Sequence, residues 1–452
     1  MRYGTDDMLI PTRQELAFLT ASDTTSGSPY DKTTLPNGVR VVTGTMPGVH
    51  SASLIFYYNV GSRIEPNEIA GASHFLEHML FKGTEKRPDP MMISQEIEGV
   101  GGIVNAGTGR ESTTYWVKVP STHFGLAFDV LADMLRNSVF DPEEVDKERK
   151  VIFEEIRSVQ DIPEELVHEL IDAVVFPGTA IGRDIAGTEE TVANITRDAM
   201  LDFWQRNYTA DRLVVAAGGA VSHEEVVALT EKYFGDLPRT ENGNTAMPVK
   251  VDQSERRVKL VTRDTEQAHF CLSFPAISYH DERRHVQSTI EAILSSGMSS
   301  RLFQEIREQR GLVYSIYAYF RGYEEIGQGV IYAGTDVDRV KETISATVGE
   351  LKKLRDIPVP EDELERTKTL RKGRLLMSLE DSRSVASWIG SQEATYGEIL
   401  TPEEIMEKID AVTVQDIQDL AGELLREDRF SLAMIGPFTK EKDYAALLSL
   451  DA

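Results

Sequence analysis

The sequence predicts an α+β protein built from two homologous domains, each a mainly antiparallel sheet with packed helices. Three observations carry that expectation. The chain has 452 residues, more than one compact core accommodates. Strand-like runs and amphipathic helical runs are mixed in both halves. The second half also echoes the first at nearly constant spacing. Asp211-Arg212-Leu213-Val214 returns as Asp428-Arg429-Phe430-Ser431, 217 residues on. Pro142-Glu143-Glu144 returns as Pro360-Glu361-Asp362 at 218, and Leu80 to Gly83 as Leu294 to Gly297 at 214.

The elements follow in order. Residues 1–30 are polar and read as a flexible leader. Order is expected to begin at the Asn37-Gly38 turn, with a first domain over 31–237. "VRVVTGT" and "SASLIFYYNV" are strands by their β-branched content and turn borders. Residues 71–82 and about 90–99 read as helices, and "GVGGIVNAGTGRESTTYWVKVP" as two strands joined by a loop. Helices are expected over 122–137 and 141–162. The second has Asp141 as N-cap and Pro142 in its first turn. A strand "RLVVAAGGAV" and a helix from Ser222 to about 234 close the first domain. The turn-rich stretch 238–255 reads as a linker, and 256–452 as the second domain.

Composition narrows the function. A net charge of −26 suits solubility, or an acidic chamber that favours basic peptides. It speaks against a nucleic-acid or anionic-membrane surface. No apolar run approaches the roughly 20 residues of a membrane span. "MRYGTDDMLIPTRQEL" lacks the apolar stretch of a signal peptide. One cysteine, Cys271, rules out an intrachain disulfide and suits a reducing, cytoplasmic setting. It lies in "HFCLSF" and reads as a buried core thiol.

The chemistry concentrates in "GASHFLEHMLFKGT", residues 71–84. His74 and His78 stand four apart, so on a helix they share a face and one ion. Glu77, on nearly the same face, is placed to act as general base. The pattern is His-x-x-Glu-His, an inverted zinc-peptidase motif. A third ligand is expected from another carboxylate, since two His and one carboxylate with an open position make a catalytic zinc set. "DKERKVIFEEIRSVQD" offers Glu148, Glu154 and Glu155 on a helix whose apolar stripe is Val151, Ile152, Ile156 and Val159. Periodicity alone leaves Glu154 and Glu155 both open. The repeat supplies a control: His74 corresponds to Ser288, His78 to Ala292 and Glu155 to Gly373. The second half kept the framework and not the histidines, which favours function over structure as their reason.

"GASHFLEHMLFKGT" followed by "ERKVIFEEIRS" resembles the pitrilysin-type (insulinase-like, M16) zinc metallopeptidases, in particular the half-size bacterial members and the processing-peptidase β-subunit. The resemblance implies a half-clamshell fold and one Zn²⁺ per chain. It also implies Glu155 as third ligand, by the family spacing of 76 intervening residues between it and His78. Glu148 takes a supporting role beside the ligands. "VGSRIE" and "NAGTGRESTTY" fit family strands by the active site, which makes Asn105 and Ala106 substrate-binding on an edge strand. "SSGMSSRLFQEIREQRGLVYSIYA" fits a block whose Arg and Tyr, here Arg307 and Tyr314, act near the scissile bond. The implied activity is zinc endopeptidase cleavage of peptides or unfolded segments. A chain with both features in two domains implies a homodimer completed in trans, with a heterodimer of related subunits as the alternative. The rival function is a non-catalytic or partner-dependent scaffold subunit.

Overall fold

The computed structural model describes residues 29–241 and 243–450. The first sheet contains β1 (Asp31–Thr34), β2 (Arg40–Thr45), β3 (Ser51–Tyr58), β4 (Ile103–Thr108), β5 (Thr113–Pro120) and β6 (Leu213–Gly219). The second contains β7 (Arg257–Thr262), β8 (Gln267–Ala276), β9 (Val313–Gly322), β10 (Gly327–Asp336) and β11 (Ser431–Gly436). Their orders are β1-β2-β6-β3-β5-β4 and β7-β11-β8-β10-β9. With β2 matched to β7 and β6 to β11, the two orders are the same apart from β1, which extends the first sheet and has no counterpart in the second. The parallel pair sits in the same place in each, β2 with β6 and β7 with β11, and the remaining neighbours are antiparallel. The α+β expectation with two homologous sheets holds.

Seven helices bear on the site: α1 (Ala72–Leu80), α2 (Phe124–Asn137), α3 (Pro142–Asp161), α4 (Pro163–Val175), α5 (Arg284–Ser295), α6 (Glu361–Ser378) and α7 (Ser382–Tyr396). The Asp141 carboxylate accepts from Glu143 N at 2.8 Å, which caps α3 as its sequence predicts. The helices expected near 90–99 and 222–234 are Pro90–Glu98 and His223–Phe234. No helix among the described residues is long and apolar enough to cross a membrane.

Alternation along the strands divides each sheet between two cores. From β3, Leu54, Phe56 and Tyr58 enter the core beneath α1 and α2, while Ile55 and Tyr57 face the other way. That second face is not covered by the first half. It is covered by α7, whose Ala386 and Ile389 pack on Ile55, Val214 and Ala216. The exchange is mutual: Leu166, Val167 and Ile171 of α4 pack on Cys271, Val330 and Tyr332 of the second sheet. Cys271 is buried, as its strand pattern predicts. Close approach makes the α7 contact tight. A Cβ on Gly390 would lie 2.5 Å from the Tyr57 ring and 2.6 Å from Ala216 Cβ.

One expectation needs correction. Order does not begin at the Asn37-Gly38 turn. Strand β1 precedes it and pairs with β2, and the turn is fixed by Asn37 Nδ2 donating to Phe234 O at 2.7 Å. The sequence hid β1 because its DKTT is largely exposed and has no apolar face to read. Most of the expected leader lies outside the described residues, but Tyr30 packs on the α7 core and donates to Ile399 O at 2.6 Å. In the 238–255 stretch the described residues carry no helix or strand. The stretch is nonetheless pinned: Asn244 N donates to Asn207 Oδ1 and Gln253 Nε2 to Phe430 O.

The exchange predicts that Ile389→Ala, a change in the second half, destabilises the first sheet by about 2–5 kcal/mol. The check is the urea midpoint with fluorescence from Trp116, which packs at that core. An unchanged midpoint would show that α7 contributes no cover.

Candidate metal centre

The centre is built on α1. Six of its nine residues are buried: Ala72, Ser73, Phe75, Leu76, Met79 and Leu80. The remaining stripe is His74, Glu77 and His78, at the i, i+3 and i+4 positions of one face. Gly71 starts the helix at φ +98°, and a Cβ there would meet Ala186 O at 2.5 Å. No side chain of its own caps the helix. The buried Glu65 does so from a distance, accepting from Gly71 N at 2.8 Å and Ser73 N at 2.6 Å. Burial pushes the Glu65 carboxyl up to about 7, against the pull of those two N–H groups. Arg183 braces the same turn through the carbonyls of Ser62 and Glu65.

Helix α3 crosses α1 with Val145, Ile152 and Ile156 buried and two carboxylates on the facing edge. Val151, assigned to the apolar stripe from sequence, is exposed instead. Glu155 Oε2 lies 3.7 Å from His74 Nε2 and 3.6 Å from His78 Nε2, and the two imidazole nitrogens are 3.2 Å apart. Glu154 turns to solvent and pairs with Arg157 at 2.7 Å. The choice that periodicity left open is thus made by geometry. Glu148 accepts from His78 Nδ1 at 2.8 Å, and its other oxygen takes Lys82 Nζ at 2.6 Å.

The triangle fits zinc. Ligands about 2.0–2.1 Å from a tetrahedral ion stand about 3.3–3.4 Å from one another. The donor types, two imidazoles and a carboxylate, also match a catalytic set with one position open. Electrostatics suit a donor role for His74, while in the absence of an ion the carboxylates around His78 favour its protonated form. Burial, helped by neighbouring His78, lowers His74 to about 4, so its imidazole is neutral near pH 7. Burial works against a charge on His78, but Glu148, Glu155 and Glu77 outweigh it and raise its pKa. Glu148 is lowered: burial opposes its charge, and His78 and Lys82 more than offset that. Glu77 is raised by burial, with Thr108 opposing. The Nδ1 of His74 is buried without a hydrogen-bond partner among the described residues, in contrast to the held Nδ1 of His78.

A cavity of about 380 Å³ opens beside the triangle, lined by His74, Thr108, Glu155, Glu169, Asp172 and Arg321 among others. Burial and the Asp184 carboxylate push Glu169 up to about 8. Asp172 is held between Arg110 at 2.7 Å and Arg321 at 2.8 Å. A larger cavity of about 810 Å³ lies against Tyr57, Arg63 and Tyr279 and touches none of the donors. The other acidic group, Glu111, Glu324 and Glu325, already holds the buried guanidinium of Arg63, which pairs with Glu111 and Glu325. It therefore needs no metal.

Asn105 and Ala106 sit on β4, the terminal strand of the first sheet, with Asn105 Oδ1 accepting from Ala106 N at 2.8 Å. Arg307 and Tyr314 are brought to each other and not to the triangle. The guanidinium stacks 5.1 Å above the Tyr314 ring, Tyr314 is 81% exposed, and neither lines the cavity. Sequence reasoning missed Glu65, Lys82 and Thr108. Lys82 carried a signal, standing four after His78 on the same helical line.

Two sheets of one strand order, with a single donor triangle on one of them, define a class: two-domain α+β proteins carrying one candidate zinc site. Residues 40–189 match the model of Insulinase (Peptidase family M16), and residues 194–371 that of the Peptidase M16 inactive domain. An uncharacterized zinc protease of Streptomyces coelicolor is 38% identical over 92% of this chain and 91% of its own. One from Bacillus subtilis is 38% identical over 89% of this chain and 97% of its own. The chain belongs to peptidase family M16. Its fold is shared with a protease from Helicobacter pylori, at a TM-score of 0.83 and 20% identity, over 90% of this chain and 99% of that one. A peptidase M16 inactive domain from Pseudomonas fluorescens matches equally, at 0.83 and 18%, over 91% and 99%.

The geometry separates the two adjacent glutamates experimentally. Glu155→Gln should lower zinc affinity by at least about tenfold, with Glu148→Gln weakening it about 10–100-fold through His78. Glu154→Gln should leave it unchanged. Competition with a metallochromic chelator reads all three. Equal effects at 154 and 155 would remove Glu155 from the ligand set.

Proposed function

We propose that this chain is a zinc endopeptidase acting on peptides and unfolded segments in a reducing, cytoplasmic setting. The observation that carries the reading is the 3.2–3.7 Å triangle of His74, His78 and Glu155, with Glu77 beside it on the same face of α1. The zinc proteases among its relatives support it. One zinc ion per chain, held by these three groups, supplies Lewis-acid polarisation of a scissile carbonyl and acidifies water. Glu77 accepts the proton of the attacking water and later returns it to the leaving amine. Its burial favours a base that must hold that proton between the two steps. Asn105 and Ala106 offer the β4 edge for an extended substrate to add as a strand. Glu155 and Asp184 line the adjacent cavity with Glu169, whose raised pKa keeps it largely protonated near neutrality, beside two arginines already committed to Asp172. Such a wall favours a basic substrate side chain.

Arg307 and Tyr314 stabilise charge at the scissile bond of a partner chain in a homodimer. The exposure of Tyr314 and the absence of both residues from the cavity lining support action in trans. The test mixes Glu77→Gln chains with Tyr314→Phe chains. Regained activity in mixed dimers is expected, and mixed dimers without it would end the trans assignment.

The central test is cleavage of a quenched-fluorescent peptide library that includes Arg- and Lys-containing members. Wild-type cleavage should stop on chelation and return with zinc, and Glu77→Gln should lower kcat by about 10²–10⁴. A chain that binds zinc stoichiometrically and cleaves nothing would instead be a non-catalytic or partner-dependent subunit.

A further inference from the structure

Glu77 is the only member of the α1 stripe whose outer partner belongs to the strand that would carry the substrate. The hydroxyl of Thr108 donates to Glu77 Oε2. Thr108 is the last residue of β4 and completes its inward row of Val104, Ala106 and Thr108, whose first two members pack on the core beside α1. Asn105 and Gly107 point the opposite way and are exposed. Register fixes the arrangement: Thr108 pairs with Thr113, and Asn105 with Trp116. The hydroxyl also faces the cavity that His74 and Glu155 line.

We propose that Thr108 is a positioning residue for Glu77: its hydroxyl holds one carboxylate oxygen so that the other faces the attacking water. This rests on the peptidase reading above. No proton leaves Thr108. The bond to Oε2 fixes the rotation of the carboxylate about its last torsion, which is otherwise broad. Oε1 is left as the atom that gains and returns the proton. A β-branched residue suits the task, because its χ1 is stiff and the hydroxyl stays where it is aimed. The placement also ties the base to the substrate strand. A peptide added along β4 orders that edge, and its last residue carries the order to Glu77. A strand residue without a side-chain donor would give the same sheet and leave Glu77 only the backbone N–H of residue 108.

The test compares Thr108→Val and Thr108→Ser with wild type, in kcat, KM and zinc content on one cleaved peptide. Valine keeps the shape and removes the donor, and serine keeps the donor. Expected for valine is a fall in kcat of about 10–100-fold, the scale of a hydrogen bond to a charged group, at unchanged KM and zinc content. Serine should restore kcat to within about threefold. If valine lowers zinc content by crowding α1, Thr108→Ala is read by the same two ratios. Wild-type kcat in the donor-free variant overturns the role of Thr108 and leaves the peptidase reading intact. A zinc-loaded wild type that cleaves no peptide overturns both. Equal losses in valine and serine show that the methyl packing matters, and overturn it as well.

Discussion

Helix α1 must bury one face completely while aligning three polar groups along the other. Phe75, Leu76, Met79 and Leu80 are fully buried, and they fix the helix about its axis. A rotation of one residue, about 100°, would drive His74 or His78 into that core. The axial position is set by a separate device. Glu65 reaches back to the helix start and accepts two N–H groups that α1 cannot satisfy itself. Apolar packing and the distant cap therefore place the imidazoles before any ion is considered. What remains soft is the side-chain torsions. The chain from Lys82 through Glu148 to His78 stiffens one imidazole, and the other has no such hold.

The second half shows what the same helix pair does without histidines. Helices α5 and α6 stand where α1 and α3 stand in the first half. Ser288 and Ala292 replace the histidines, yet the gap is not filled with apolar atoms. Arg371 of α6 enters it, donating to Ser288 Oγ at 2.5 Å, to Thr289 Oγ1 and to His285 O at 3.1 Å. Glu291, the counterpart of Glu77, lies close enough for the guanidinium to oppose its rise to about 7, which burial drives. Burial lowers Arg371 in turn to about 10. At this junction the second half carries a cation, and the first carries the histidine pair. In the second it is a guanidinium, which cannot accept a ligand. Where the second half holds a fixed charge, the first offers His74, His78 and Glu155 as candidate metal donors instead.

Local features of the chain were legible where local physics decides them. Helix starts at Asp141 and Ser222, the alternation of β5, the burial of Cys271 and the i, i+4 histidines all follow from short-range patterns. The third ligand did not. Glu154 and Glu155 differ by one step of a helix whose opposite partner cannot be known from its own periodicity, and only the family spacing or the fold separates them. Thr108 was illegible for a related reason. Its strand alternates, but the pattern does not say which side chain meets α1. Strand β1 failed because its residues are polar and mostly exposed. The exchange of α4 and α7 failed because each reads as an ordinary amphipathic helix of its own half.

That exchange determines why a half without metal donors still shapes the site. Only Ile162 separates α3, which carries Glu155, from α4. Because Pro163 starts a new helix there, the chain turns, and α4 lies on the second sheet. Its polar face looks back toward the triangle, so His168, Glu169 and Asp172 become cavity wall. The wall is clamped from both sides. His168 is held by the hydroxyls of Tyr319 at 2.8 Å and Tyr317 at 3.0 Å, both from β9. Asp172 takes Arg110 from the first-half hairpin and Arg321 from β9. Removing the second sheet would strip α4 of its apolar seat, His168 of both tyrosine hydroxyls and Asp172 of Arg321, leaving only Arg110. The donors and most of the cavity wall belong to one half, but Arg321 of the second half completes the lining.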